Sequence, residues 1–105
     1  MTPEQFTARV LEADKPVLVD FTAAWCPPCR AMKPILAALD AERDDLDLVE
    51  VDVDASTDVA ARYGVLSMPT FMLFVHGQPV QTLVGARPRR RLEADLAEAL
   101  PQVTV

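Results

Sequence analysis

Trp25-Cys26-Pro27-Pro28-Cys29 holds both cysteines and the only tryptophan of the 105-residue chain, and it marks the sharpest change of backbone character in the sequence. Immediately before it, Pro16-Val17-Leu18-Val19-Asp20-Phe21 is a short apolar, β-branched run of the kind that forms a strand buried on both faces. After it, Met32, Ile35, Leu36 and Leu39 recur at helical spacing among alanines, which predicts an amphipathic helix from near Cys26 to about Arg43. The cysteines therefore sit where a strand hands over to a helix. There Cys26 can take the N-cap, Pro27 and Pro28 fit a first turn whose N–H groups lack intrahelical partners, and Cys29 follows one turn on.

That location has chemical consequences. Backbone N–H groups and the positive end of the helix dipole stabilise a thiolate, the form that attacks disulfides, which makes Cys26 the nucleophile. With two residues between them the sulfurs can close a small ring, so Cys29 can attack the mixed disulfide and release the reduced substrate. The motif reads as a device for dithiol–disulfide exchange. Because zinc takes four ligands and the sequence has one histidine and no second cysteine pair, a metal site would have to be shared between molecules, and none is expected.

Three stretches carry a family resemblance: Val17-Leu18-Val19-Asp20-Phe21, Ala24-Trp25-Cys26-Pro27-Pro28-Cys29, and Met68-Pro69-Thr70 far downstream. In that order they resemble the thioredoxin family, whose usual active site reads Trp-Cys-Gly-Pro-Cys, and the similarity runs from about residue 3 to residue 100. The resemblance implies an α/β thioredoxin fold, a central mixed β-sheet flanked by helices on both faces, with residues 1–105 as a single domain. It implies a general protein disulfide reductase acting on disulfide-containing proteins, recycled by an NADPH-dependent flavoprotein thioredoxin reductase, with no bound cofactor. It further implies that Asp20 lies beneath the active site and moves a proton to or from Cys29. Alternation alone equally allows Asp20 a solvent-facing strand position, whereas a buried carboxylate is costly and should have a raised pKa.

The same resemblance assigns Trp25, Pro27, Pro28, Met68, Pro69 and Gly85 to the substrate groove. A cis peptide bond is expected at Pro69, packed beside Cys26, with an extended peptide pairing to the backbone at Met68. Pro27 replaces the family's usual glycine, removing one backbone N–H and fixing φ near −65°. A Trp-Cys-Pro-Pro-Cys site also resembles some anchored extracytoplasmic reductases of cytochrome c maturation, which usually carry an anchor or signal and an insertion that this sequence lacks. A disulfide oxidase or isomerase with an altered potential, or a redox-independent binding subunit, would also be compatible with these residues. Glu50 stands where many bacterial thioredoxins have lysine, and Thr22 where many have a second tryptophan.

Composition sets the outer limits. The length suits one sheet covered by helices, and half the residues are hydrophobic and a quarter charged, as in ordinary globular proteins. No run approaches the roughly 18 apolar residues of a membrane span, and no basic segment followed by an apolar core opens the chain, so a soluble cytoplasmic monomer is expected. A net charge of −6 argues against nucleic acid as a general partner.

The remaining elements follow local signals. Thr2-Pro3-Glu4-Gln5 looks like a helix start with a capping box, burying Phe6 and Val10, and Asp14-Lys15-Pro16 should end that helix. Pro34 should remove one hydrogen bond inside the active-site helix and bend it. Leu46 to Asp54 alternates apolar and acidic residues, a strand with its acids mostly solvated. Asp58 to Tyr63 is a short helix with Gly64 at its C-terminal cap. Phe71 to Val75 and Pro79 to Val84 form a hairpin around His76-Gly77, the histidine being a solvated turn residue. Pro88 opens a last helix in which Leu92, Leu96 and Leu100 face the sheet. Arg87 and Arg89-Arg90-Arg91 read as a solvated face rather than a docking patch. Gly85-Ala86 resembles the family's turn beside the substrate groove, where a small residue permits close backbone approach, and an ordinary turn glycine fits the position equally; residues 101–105 read as a loosely held tail.

Overall fold

The computed structural model describes residues 1–100, and the expectation for residues 101–105 lies outside the described residues. Strand β1 (Val17–Thr22) is buried along its whole length, as its largely apolar run predicts, and takes Asp20 and Thr22 into the interior with it. It is paired on both sides, parallel to β2 (Asp47–Asp52) and antiparallel to β3 (Thr70–Val75), and β4 (Gln78–Val84) closes the mixed sheet in the order β2-β1-β3-β4.

Side-chain alternation along the strands splits the core in two. Leu18 of β1 and Phe71, Leu73 and Val75 of β3 face a layer made by α2 (Pro27–Glu42) and α4 (Arg89–Ala99), which supply Met32, Leu36, Leu39, Leu92 and Leu96. Val17, Val19 and Phe21 of β1 and Met72 and Phe74 of β3 face the opposite layer, built by α1 (Pro3–Phe6), its continuation, and α3 (Thr57–Arg62). On that side Phe74 takes the rings of Phe6 and Tyr63 edge-on, at 5.6 and 5.2 Å between centroids. Asp20 and Glu50 are paired across β1 and β2, and by alternation both lie on the face covered by α2.

Most local signals produce what they predict. Thr2 caps α1 through a complete capping box with Gln5, Cys26 caps α2, and α2 runs through Pro34 to Glu42. Gly64 has the left-handed backbone expected after α3, and the Met68–Pro69 bond is cis. Asp47 and Glu50 of β2 are exposed.

The first helix differs from expectation. After Phe6 the chain widens into a π turn, Thr7–Leu11, in which the Glu12 N–H reaches the Thr7 carbonyl at 2.9 Å, and the helix ends there rather than at Asp14-Lys15-Pro16. The proline only forbids helix at the residue before it, so it bounds the helix without drawing it out that far. Phe6 and Val10 are nevertheless buried as predicted.

The hairpin turn is pressed against the end of that helix. Gly77 has φ +80°, and a Cβ placed there would lie 2.8 Å from the Leu11 carbonyl oxygen. Both backbone conformation and space therefore demand glycine. Gly77→Ala should lower unfolding free energy by about 2 kcal/mol or more, measured by urea denaturation of the oxidised protein; an unchanged midpoint would contradict this contact.

Candidate active site

The active site is built on the N-terminus of α2. Cys26 is in extended conformation at the N-cap, and its Sγ accepts the Cys29 N–H at 3.2 Å. Because Pro27 and Pro28 occupy the first two helical positions and have no N–H, that of Cys29 is the first donor the helix can offer. The proline at 27 thus leaves the sulfur one nearby donor fewer than a glycine would. Cys26 and Cys29 are joined as a disulfide, with Cα atoms 5.3 Å apart. Both residues are buried, together with Ala23, against Met68 and Val53.

The Met68 carbonyl oxygen lies 3.6 Å from Cys26 Sγ. In the disulfide no hydrogen is present for it to accept, but the reduced thiol would find an acceptor there. Met68 is positioned by the cis bond to the buried Pro69, and the Pro69 carbonyl accepts the Gly85 N–H at 2.8 Å. Thr70 Oγ1 closes the loop from within by donating to the Ser67 carbonyl at 2.6 Å. Met68, Pro69, Gly85 and Cys26, distant in sequence, are thereby brought to one end of the sheet.

Gly85 takes a left-handed backbone, as a turn glycine does. Its φ of +98° calls for glycine, yet an added Cβ would meet nothing within 4 Å. Its backbone angle, not crowding within the chain, explains the residue.

Around the disulfide, Trp25 is 62 % exposed, and Pro27 and Pro28 are exposed beside it. The indole is not free to swing, because its Nε1–H donates to Asp54 Oδ2 at 2.8 Å. Asp54 follows β2 in a turn in which Asp52 Oδ1 accepts the Asp54 and Ala55 N–H groups. Arg30, one residue beyond the cysteines, donates to the Ala24 carbonyl at 2.9 Å. Sequence reasoning took the β2 acids as solvated and missed both anchors, since no local pattern joins Trp25 to a carboxylate 29 residues away. Leu66, two residues before Met68, also drew no notice in the sequence, although at 93 % exposure it is the most exposed large hydrophobic residue among the described residues.

Asp20 is only 2 % exposed, which removes the solvent-facing alternative. Its Oδ1 is buried and has no hydrogen-bond partner among the described residues. Burial, reinforced by the neighbouring Glu50 carboxylate and partly offset by the Lys33 ammonium, pushes the Asp20 carboxyl up from 3.8 to about 7. Lys33 comes from α2, one turn beyond Cys29, and its Nζ is 3.5 Å from Glu50 Oε2. The helix that carries the cysteines thus covers Asp20, and its lysine answers the extra acid at position 50. Sequence reasoning identified Glu50 as a departure but not Lys33 as its partner.

Known proteins share both sequence and fold. The Thioredoxin family model matches residues 1–98. A thioredoxin of Alicyclobacillus acidocaldarius is 43% identical over 93 residues, covering 88% of this chain and 89% of that protein. A bifunctional thioredoxin reductase/thioredoxin of Mycobacterium leprae is 41% identical over 104 residues, covering 98% of this chain and 23% of that protein. The crystal structure of a thioredoxin from Nicotiana alata superposes with a TM-score of 0.81 at 38% identity, covering 91% of this chain and 83% of that one. With a cysteine pair that closes a disulfide at a helix N-terminus, the chain belongs to the thioredoxin family and is a thiol–disulfide oxidoreductase of the thioredoxin type.

Proposed function

We propose that the protein is a general protein disulfide reductase of the cytoplasm, working as a monomer and recharged by an NADPH-dependent thioredoxin reductase. The observation that carries this reading is the Cys26–Cys29 disulfide at the α2 N-cap, lying against the backbone at Met68. A reducing cytoplasm fits a chain whose two cysteines form one exchange pair rather than a structural framework. The Mycobacterium leprae relative, named as a fusion of thioredoxin reductase with thioredoxin, supports the choice of electron donor.

In the reduced protein the Cys26 thiolate, stabilised by the Cys29 N–H and the helix dipole, attacks one sulfur of a substrate disulfide. A Cys26–substrate disulfide forms, and the other substrate sulfur leaves as a thiolate. Cys29 then loses its proton to the Asp20 carboxylate and attacks Cys26 Sγ. The second substrate sulfur leaves, and the Cys26–Cys29 disulfide remains. Two electrons have passed to the substrate, and NADPH restores them through the reductase. An extended substrate strand pairs with the Met68 backbone beside Pro69 and Gly85, while Trp25, Pro27 and Pro28 form the apolar rim.

The direct test is NADPH-coupled reduction of insulin in the presence of a bacterial thioredoxin reductase. Turnover is expected from the wild-type chain, and Cys26→Ser should fall to background. Cys29→Ser should instead accumulate a mixed disulfide with substrate through Cys26, visible by mass spectrometry. A Cys29→Ser variant that turned over normally would remove the resolving role.

Asp20 makes two linked predictions. Its carboxylate must be present to take the proton from Cys29, so the wild-type rate should rise with pH through about 7. In Asp20→Asn that limb should vanish; a rate profile identical to wild type would eliminate the proton role. The same group affects stability. The folded state binds a proton more tightly than the unfolded state, so stability falls as pH rises between 3.8 and about 7. Asp20→Asn should therefore stabilise the oxidised protein at pH 8, by at most about 4 kcal/mol, with little gain near pH 4. Equal effects at both pH values would contradict a perturbed carboxyl.

A further inference from the structure

Of the arginines before and within α4, Arg90 and Arg91 are exposed as expected of a solvated face, whereas Arg87 and Arg89 are engaged by carboxylates. Arg89 bridges Glu42 at the end of α2 and Glu93 within α4, at 2.8 and 3.0 Å. Arg87 is more deeply engaged, with a side chain only 10% exposed. Its Nη1 donates to Asp95 Oδ2 at 2.6 Å, its Nη2 to the Val84 carbonyl at 3.0 Å, and its Nε to the Gly85 carbonyl at 3.3 Å.

Those two carbonyls lie where the sheet gives out. The β3–β4 ladder ends at the pair Thr70–Val84, and Gly85 follows in a left-handed turn with open space where a Cβ would stand. Glycine has no side chain with which to anchor such a turn. The Gly85 N–H nevertheless donates to the Pro69 carbonyl at 2.8 Å, and Pro69 follows Met68, whose carbonyl touches Cys26 Sγ. A continuous polar chain thus runs from Asp95 on α4 through Arg87 and Gly85 to the backbone beside the disulfide.

We propose that Arg87, clamped by Asp95, is a positioning residue for protein substrates: it fixes the Gly85 turn, and through it the Pro69 backbone, in the form that receives an extended substrate strand. The proposal rests on the groove reading given above. A guanidinium suits this task because its planar fork reaches two successive carbonyls and a carboxylate at once. Lysine would keep the charge beside Asp95 but is a point donor and cannot span all three. Ordering the turn before substrate arrives lowers the ordering cost of association and so acts on binding rather than on the sulfur chemistry.

The test compares wild type, Arg87→Lys and Arg87→Met as full-length chains, with insulin as the protein disulfide and 2-hydroxyethyl disulfide as a substrate too small to use the groove. In both variants the Gly85 amide should exchange its hydrogen about tenfold faster. KM for insulin should rise about tenfold, the scale of one lost charge-assisted hydrogen bond. The insulin kcat, the rate with the small disulfide and the Cys26–Cys29 potential should stay within about twofold of wild type or its equivalent. Asp95→Asn should shift the same readouts in the same direction by less. An unchanged Gly85 exchange rate in Arg87→Met would overturn the clamp and leave the groove reading standing. Faster exchange with an unchanged insulin KM would overturn the proposal together with the role of Gly85 in the groove. Equal losses on insulin and the small disulfide would reduce Arg87 to a fold-stabilising residue and overturn it as well.

Discussion

Cys26 must cap a helix and present a reactive sulfur with the same side chain, and the site is arranged around that double duty. A helix N-terminus leaves N–H groups without partners, and a sulfur placed there answers one of them while gaining stabilisation as a thiolate. The demand fixes where α2 begins, and the packing of Met32, Leu36 and Leu39 on the sheet fixes where α2 lies. The cysteines inherit a rigid mounting from a buried hydrophobic face. From the other side, the turn into β3 brings the Met68 carbonyl to Cys26. Two proline positions at the start of α2 make the cap more economical in donors, since only the Cys29 N–H reaches the sulfur.

Beneath that mounting the fold tolerates a costly group. Asp20 is buried on the α2 side of β1, and one of its oxygens has no hydrogen-bond partner among the described residues. A buried carboxyl of this kind weakens the folded state once it ionises, and the adjacent Glu50 increases that cost. Lys33 offsets part of it from the first turns of α2. A group that destabilises the protein near neutral pH yet titrates near the working range is well suited to proton transfer and poorly suited to structure alone.

What was legible in the sequence was whatever a local signal encodes. The capping box at Thr2, the cysteine N-cap, the left-handed glycine after α3 and the largely apolar run of β1 all depend on neighbours a few residues apart, and each took its expected form. Burial of Asp20 was not readable from alternation, because both faces of β1 are covered and the period of two loses its meaning there. Long-range side-chain pairing was also illegible. Trp25 reaches Asp54, Lys33 reaches from α2 to Glu50 on β2, and Arg87 turns inward to Asp95, none of which a periodicity can express. Arg87 illustrates the point most clearly, since charge alone suggested solvent while the backbone carbonyls at the end of β4 supplied partners.

The most direct test of the reductase reading is the reduction potential of the Cys26–Cys29 pair, obtained by equilibration against defined dithiol buffers and followed by thiol trapping or by the fluorescence of Trp25. A value near the reducing end of the scale, about −270 mV, is predicted for a chain that passes electrons from NADPH to protein disulfides. A value near those of isomerases or oxidases, about −180 to −120 mV, would contradict it and show that the site with Pro27 serves disulfide formation or rearrangement instead.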